Sequence, residues 1–532
     1  MCTANTLTMI DYQNPTTLAL VAGVAIFLVG KVVQYYLGRA RAAWILSKYP
    51  IVNPEWNASD RERLLNSSQE VILEGLALAN GGPFRIEDGS GIKLVLPPKY
   101  IDEIKDLPQL SSQNYNVKDF FANYPGFDAF RSSNHKTEVI WTRGLKREMA
   151  GVWPLAIPPM AKEISSILDK TYGQTDEWKE IGVYNACISV ISRITQLVLL
   201  GEDFMNNEEW KRVATSYSVN VFRAAATLHQ WNKWLRPIVV WYLPICRQIR
   251  AEVKQARAIL QPEVVKRVEY RKNERDGAIK DGQRRRRVLD SIDWFVAANP
   301  DNKPFDYVGT QISLALAANQ TSSNVLAYVL GDLISHPEYL QPLRDELTAV
   351  LRDVKAGPGY EFDKATLHRL VLMDSFMKES MRLHPPANIT MRRQATEDIR
   401  LADGTEIPRD TYLFVAPVPM KDPAVFENPD VFDGYRFLRM REQQTSQNQD
   451  GGKYHLVSTS SDLVMWDYGL RVCPGRFLAG AYLKLIFAHL LLKYDFQLLH
   501  GQNAFNMGKP QGFMTRPDKE QKLMYRSRKS PI

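Results

Sequence analysis

Apolar residues recur at three- and four-residue spacing along several long stretches of the chain, which is the pattern of amphipathic helices. The stretches are 159–172, 185–200 and 247–272. Short apolar runs bounded by turn residues, typical of strands, occur at 91–97, 398–407 and 411–418. The pattern therefore predicts a mainly α fold with a minor β-sheet.

One long helical segment is apolar on nearly every side. Residues 305–335 follow Pro304 and stop before Pro337. A helix of this kind belongs in the middle of a large domain. Within it, residues 319–324 are all polar, and such a patch is costly to bury without partners or water. The patch is either a hydrogen-bonded structural feature or the border of a cavity.

The N-terminal region predicts a membrane anchor. Residues 12–30 carry no charge, and the first basic residue is Lys31. As a helix, this uncharged stretch would be roughly 28 Å long, which is enough to cross the apolar part of a membrane. A cleaved signal peptide would need positive charge ahead of the apolar run, and a buried core helix is the other alternative. The prediction is a short lumenal segment at 1–11, a transmembrane anchor at 12–37 and a cytosolic domain at 38–532, because positive charges follow the anchor.

Composition narrows the functional classes. The four cysteines among 532 residues share no close spacing, so neither a disulfide framework nor a CxxC metal site is indicated, and a reducing compartment fits. A net charge of +8, from 67 basic and 59 acidic residues, suits a membrane surface or an acidic protein and does not indicate nucleic acid. The arginine run 284–287 is interpreted as a solvated face.

The loop around Cys473 carries the candidate chemistry. Pro474 is a favoured first residue of a helix, so Cys473 is predicted at an N-cap, where free N–H groups and the helix dipole favour a thiolate. Gly469 and Gly475 would let the loop lie beneath a flat group. Arg471 would then meet an acid group on it.

Three chemical roles are open for this cysteine from the residues alone. Metal ligation is the first. A catalytic nucleophile would need a histidine base, and none can be placed beside it. A buried structural cysteine would not need two glycines and two arginines nearby.

The loop resembles a known family. Trp466-x-x-Gly469-x-Arg471-x-Cys473-x-Gly475 is similar to the haem-binding loop of the cytochrome P450 family. The resemblance implies haem b as cofactor, with the thiolate of Cys473 as axial ligand of the iron and the other loop residues around the cofactor. It also implies the cytochrome P450 fold, with the haem between the long central helix and the cysteine-loop helix.

Other motifs extend the resemblance over essentially the whole chain. Glu379-x-x-Arg382 resembles the family's E-x-x-R helix, with Arg436 as the third member of a structural set. Residues 316–322 resemble the family's oxygen-side segment. The remaining matches are Thr321 with its neighbour Gln320, which are the predicted catalytic residues, and Arg393, which matches a contact to a haem propionate.

The chain departs from the family pattern in several places. Trp466 stands in place of phenylalanine and Asp467 where the family often has glycine, and either could tune the iron. Gln320 replaces the acid beside the threonine, so held water would have to supply protons. No W-x-x-x-R motif follows Trp141, which leaves Arg143 as a weaker candidate for the second propionate contact.

The resemblance implies a membrane-anchored monooxygenase of the endoplasmic reticulum with a cytosolic catalytic domain. It would use O₂ and electrons from NADPH, delivered by NADPH–cytochrome P450 reductase, with cytochrome b5 as a further donor. Similarity to oxidases of fungal secondary metabolism implies a lipophilic polycyclic substrate of terpenoid, meroterpenoid or indole-terpenoid type. Alternatives are a haem-thiolate isomerase or peroxide-fed enzyme, and a membrane-tethered haem sensor.

Two groups of residues complete the predicted site. The substrate pocket is predicted at Ala317, Ala318, Ile389 and Thr390. Basic residues beside the cysteine loop, among them Arg476 and Lys484, are predicted either to dock an acidic reductase or simply to be exposed to solvent.

Overall fold

A computed structural model describes residues 15–131, 137–277, 290–353, 362–447 and 451–528. Within these ranges the α-helices are α1 Pro15–Ser47, α2 Ala58–Asn66, α3 Ser68–Leu78, α4 Ile101–Ile104, α5 Ser112–Asp119, α6 Glu138–Arg143, α7 Met149–Val152, α8 Ile157–Tyr172, α9 Val183–Leu200, α10 Glu202–Met205, α11 Glu208–His229, α12 Arg236–Val239, α13 Pro244–Arg275, α14 Ser291–Ala298, α15 Tyr307–Ser335, α16 Leu340–Asp353, α17 Lys364–Arg369, α18 Val371–Leu383, α19 Arg436–Ser446 and α20 Arg476–Lys493. The mainly α prediction is confirmed.

In the described part of the chain the strands are short and fall into four small sheets. They are β1 Phe84–Glu87, β2 Ile92–Leu96, β3 Leu110–Ser111, β4 Lys179–Gly182, β5 Thr390–Ala395, β6 Ile399–Arg400, β7 Glu406–Ile407, β8 Tyr412–Val415, β9 Tyr494–Gln497, β10 Pro510–Gln511, β11 Met514–Thr515 and β12 Lys522–Ser527. The largest sheet has the order β1-β2-β8-β5-β3, with β2 and β8 parallel. A register shift between Thr390 and Arg393 marks a bulge in β5.

The predicted central helix is α15. Its N-cap Asp306 accepts a hydrogen bond from the Gly309 N–H at 2.9 Å, and the helix ends at Ser335, with His336 as C-cap before Pro337. Most of its length lies in the largest apolar core of the protein, against α9, α11, α18 and α20. The apolar pattern on all sides is thereby explained, because helices cover it from several directions.

Helix α1 runs unbroken past the predicted anchor boundary at residue 37. Its large apolar side chains from Ile26 to Leu37 are exposed, Ile26 by 72%. Its C-terminal end is fixed to the β6–β7 hairpin by an Arg41–Asp398 ion pair. Residues 1–11 and the first part of the predicted anchor lie outside the described ranges, as does the arginine run 284–287.

Helix α9 is a core helix. Among the described residues, Val183–Leu200 is the helix whose length and composition would suffice to cross a membrane, but 61% of it is buried inside the protein.

Candidate functional site

A cavity of about 400 Å³ separates the middle of α15 from the cysteine loop. Ala317, Gln320 and Thr321 line it on the helix side. The loop contributes Leu470, Arg471, Val472 and Pro474, and Phe130 and Phe222 add apolar walls. The polar patch of α15 therefore does border a cavity, as one of the two alternatives proposed.

The sulfur of Cys473 lies in a turn just before α20. The Cys473 N–H donates to the Trp466 carbonyl at 2.7 Å. Burial raises the pKa of the Cys473 thiol, while the N–H groups of Gly475 and Arg476 and the charge of Arg476 act in the opposite direction. The protein alone therefore favours the thiol, and a cation at the sulfur would be needed to hold the thiolate.

The predicted N-cap position of Cys473 is wrong by two residues. Helix α20 begins at Arg476 with Gly475 as N-cap, because Pro474 and Gly475 form a turn of their own. The N–H groups that face the sulfur are still those of the first turn, so the electrostatic argument survives the shift.

The two glycines of the loop are present for different structural reasons. Gly469 has φ of 72°, and an added Cβ would lie 2.6 Å from the Lys105 Cβ, so the fold itself requires glycine there. An added Cβ at Gly475 would meet no atom within 4 Å. Gly475 therefore keeps space open beside Cys473.

Asp467 occupies a left-handed conformation, with φ of 63°. Glycine adopts this backbone conformation with the least strain. The strain is offset locally, because the Asp467 carboxylate accepts from Arg393 at 3.0 and 3.2 Å and from the Tyr468 N–H at 2.7 Å. Arg393 is thus a buried partner of the loop, and its contact to a propionate stays a prediction.

Two cations reach the cavity near the cysteine loop. Arg471 lines it and donates to Glu138 at 2.8 Å, and Lys146 lines it and donates to the Leu470 carbonyl at 3.1 Å. Arg143 is not among the lining residues; its nearest carboxylate is that of Glu148, at 3.9 Å. Lys146 therefore has the better position for an acid group in the cavity.

A helical irregularity explains why the sequence pattern missed Lys146. Residues Gly144–Glu148 form a π-helical turn, in which bonds run from i to i+5. This turn adds one residue. Lys146, the fifth residue after Trp141, therefore takes the position on the helix surface that the fourth residue after Trp141 would have in a regular α-helix. A search at fixed i+4 spacing finds Leu145 instead.

The side chain of Trp466 does not offer its N–H to the sulfur. Its Nε1 donates to the Leu456 carbonyl at 2.9 Å. Trp466 therefore contacts Cys473 through its backbone carbonyl, which accepts from the Cys473 N–H.

The polar patch of α15 ties the helix to its neighbours. Asn319 accepts from Thr195 of α9, the Gln320 amide donates to the Ser218 carbonyl of α11 at 3.0 Å, and Ser322 bonds to Tyr482 of α20. Both interpretations of the patch are therefore correct, because it is hydrogen-bonded to neighbouring helices and it also borders the cavity. Thr321 differs because its hydroxyl bonds within the helix, to the Ala317 carbonyl at 2.6 Å.

Glu379, Arg382 and Arg436 come together in the buried core. Arg382 makes two bonds of 2.8 Å to the Glu379 carboxylate, with both side chains fully buried, and Arg436 adds a third at 3.0 Å. Arg382 also donates to the Met420 carbonyl at 2.6 Å. The geometry suits the structural role that was predicted.

The predicted substrate pocket is only partly brought together. Ala317 lines the cavity, whereas Ala318, Ile389 and Thr390 are not among its lining residues. Ile389 is 5% exposed and packs in the apolar cluster with Phe414. Residues that the sequence pattern missed include Phe130 and Phe222, which have no motif and reach the cavity only through the tertiary fold.

The predicted docking role of Lys484 is wrong. Its side chain is 7% exposed and pairs with Asp374 at 2.6 Å. Helix α20 is buried on nearly every side, so a lysine on it needs a buried partner. Arg476 is partly buried and donates to the Val457 and Cys473 carbonyls.

These features fit haem. The site offers one partly buried thiol, open space at Gly475, apolar walls and two cations at one edge for acid groups. Each would serve a flat, metal-bearing group with carboxylates.

Comparison with known proteins gives a consistent result. Residues 154–524 match the family model described as cytochrome P450. The chain is 34% identical to cytochrome P450 monooxygenase 1 of Gibberella fujikuroi over 79% of this chain and 92% of that protein. It is 32% identical to cytochrome P450 monooxygenase adrA of Penicillium rubens (84% of each chain), and 31% identical to dihydromonacolin L monooxygenase LovA of Aspergillus terreus (85% and 84%).

Proposed function

Because the chain belongs to the cytochrome P450 family, we propose that it is a membrane-anchored monooxygenase in which Cys473 is the haem ligand. Haem-thiolate iron and the use of O₂ follow from the family. The observation that supports the assignment is the cavity between the Ala317–Thr321 turn and the Cys473 loop.

The proposed cofactor contacts come from both sides of the loop. When bound, haem supplies the iron at which O₂ is activated. Cys473 would hold the metal, Arg471 and Lys146 would face the acid groups, and Arg393 would hold the loop through Asp467. The apolar walls keep bulk water away from the reacting atoms.

Thr321 is the proposed residue for controlling protons. Its hydroxyl donates to Ala317 and keeps lone pairs that can accept from water in the cavity. Gln320 cannot shuttle protons itself, and its amide is held by the Ser218 carbonyl. Water anchored at Thr321 is therefore the proposed route.

Replacing Thr321 by alanine should uncouple turnover. We expect substrate binding to persist while several-fold more of the NADPH electrons end as peroxide, because the anchored water is lost. The ratio of product formed to NADPH consumed measures this in a reconstituted system with reductase. Gln320→Ala should uncouple less, and Gln320→Glu should improve coupling by adding an ionisable group.

The control for Thr321→Ala is Thr310→Ala. Thr310 makes the same bond to the carbonyl four residues earlier, at 2.8 Å, but lies at the start of α15. Coupling in Thr321→Ala equal to that in Thr310→Ala would contradict the proposed role.

A second candidate is a haem-thiolate isomerase or peroxide-fed enzyme. It is favoured by Gln320, since no carboxylate stands beside Thr321 on α15. Product formation without NADPH and reductase would support it over the monooxygenase.

The proposed substrate is a lipophilic polycyclic secondary metabolite of terpenoid, meroterpenoid or indole-terpenoid type. Relatives are fungal monooxygenases, and the walls formed by Phe130, Phe222 and Leu316 suit an apolar ligand. NADPH–cytochrome P450 reductase and cytochrome b5 are the proposed electron donors. Metabolite profiling of a deletion strain would identify the substrate.

The endoplasmic reticulum membrane is the proposed location. Besides α1, the segment from Trp231 to Tyr242 exposes large side chains, among them Trp234 by 78% and Tyr242 by 73%. Tryptophan and tyrosine with neighbouring Lys233 are typical of a membrane interface. This segment follows His229, which bonds to the Asp119 carbonyl.

Membrane attachment should depend on both segments. We expect the full-length protein to stay with membranes in alkaline carbonate, whereas removal of residues 1–37 should leave salt-sensitive binding, because only an interfacial contact remains. In that shortened background, Trp234→Ser with Trp241→Ser should weaken the residual binding further. Complete extraction of the full-length protein by carbonate would contradict the anchor.

A further inference from the structure

Residues His455–Ser458, here called the 455–458 strap, lie between α18 and the cysteine loop. Each of the four carbonyl oxygens accepts a hydrogen bond from a side chain. Lys378 donates to the carbonyls of His455 at 2.6 Å and Ser458 at 2.9 Å, Trp466 to that of Leu456 at 2.9 Å, and Arg476 to that of Val457 at 3.1 Å.

The α18 side of the strap is held by two residues one turn apart. Asp374 accepts from the Leu456 N–H at 2.7 Å, and Lys378 binds the two flanking carbonyls. Lys378 is fully buried, and the described residues give it no carboxylate within ion-pair distance. Burial accordingly lowers the pKa of Lys378 to about 7.

The other side of the strap is held by the two residues that contact the backbone of Cys473. The Trp466 carbonyl accepts from the Cys473 N–H at 2.7 Å, and Arg476 donates to the Cys473 carbonyl at 3.0 Å. A displacement of the strap would therefore move both of these contacts.

We propose that Lys378 is a positioning residue that, through the 455–458 strap, keeps the Cys473 loop in the geometry of thiolate ligation. The inference rests on the proposed function, in which Cys473 is the haem ligand. Burying a lysine without a carboxylate partner costs free energy, so its two hydrogen bonds to backbone carbonyls must offset that cost. Without them, two strap carbonyls would lose their partners.

The test is the stability of thiolate ligation in the full-length haem protein. The reduced carbon monoxide complex is followed in mild urea, at a concentration where helix content is unchanged, as its thiolate Soret band gives way to the thiol-ligated band. Lys378→Met removes both donors at similar side-chain length and should speed this conversion about tenfold. Lys378→Gln keeps two N–H donors without the charge and should fall between parent and Lys378→Met.

The matched control is Lys493→Met. Lys493 lies on α20 and donates to the Ser165 carbonyl at 3.2 Å and to the Asp169 carboxylate at 2.8 Å, away from the strap. It should convert at the parental rate. Trp466→Phe removes the N–H that binds the Leu456 carbonyl on the other side of the strap, and it should also speed the conversion. If Lys378→Met does not bind haem, the rate of Trp466→Phe tests the proposal instead.

The possible failures can be told apart. Conversion in Lys378→Met at the rate of Lys493→Met would overturn the inference alone. Equal rates in Lys378→Gln and Lys378→Met would also overturn it, because the donors would then have no role. A parent protein without a thiolate band would instead overturn the proposed function, and the inference with it.

Discussion

Replacing Cys473 by alanine should abolish the thiolate Soret band and all turnover. Among the described residues no other thiol lies near the cavity, since the remaining described cysteines, Cys187 and Cys246, are buried in the helical core. Without the thiolate there is no electron-donating axial ligand for O–O cleavage. The reduced carbon monoxide spectrum and the product yield measure the two losses.

Cys246→Ala is the control for this substitution. It removes a fully buried thiol from α13 and should cost some stability while leaving the spectrum unchanged. A Cys473→Ala variant that retained the thiolate band and turnover would show that the ligand is another residue.

Replacing Glu379 or Arg382 by alanine should leave little haem-bound protein. Their ion pair is fully buried, and removing one partner leaves an uncompensated charge, at a cost of about 3–5 kcal/mol. Such a loss is a large part of the stability of an ordinary domain. Haem content per polypeptide and the midpoint of urea unfolding measure the effect.

Arg271→Ala is the matched control for Arg382→Ala. Arg271 pairs with Glu274 at the same three-residue spacing and 2.7 Å, but both side chains are about one-third exposed. Its loss should cost about 0–1 kcal/mol. Normal haem incorporation by Arg382→Ala would contradict the structural role of the buried set.

The long helices were predictable because their apolar periodicity extends over several turns. The predicted segments 159–172 and 185–200 lie within α8 and α9, and 305–335 corresponds to α15 with only its first two residues outside the helix. The strand prediction at 411–418 likewise contains β8. In each case the pattern repeats often enough to outweigh single exceptions.

Local irregularities defeated the site predictions that relied on fixed spacing. The π-helical turn moved the cavity-facing cation from the expected position to Lys146, and the turn at Pro474 delayed the start of α20. Such features depend on tertiary contacts that no local pattern records.

Partners of buried charges were equally beyond the sequence. Nothing local indicates that Arg393 pairs with Asp467, 74 positions later, or that Lys484 pairs with Asp374. The residue types do indicate that each of these buried charges needs a partner, and each has one. Which residue the partner is depends on the tertiary fold. The exception is Glu379 with Arg382, whose pairing follows from helical spacing alone.

The absorption spectrum of the purified full-length protein tests the central claim most directly. Reduced and exposed to carbon monoxide, the parent protein should show the red-shifted Soret band that thiolate ligation gives, and no substrate is needed for the measurement. A haem complex of the correctly folded parent whose band lacks that shift would contradict the assignment of Cys473 and the proposed monooxygenase.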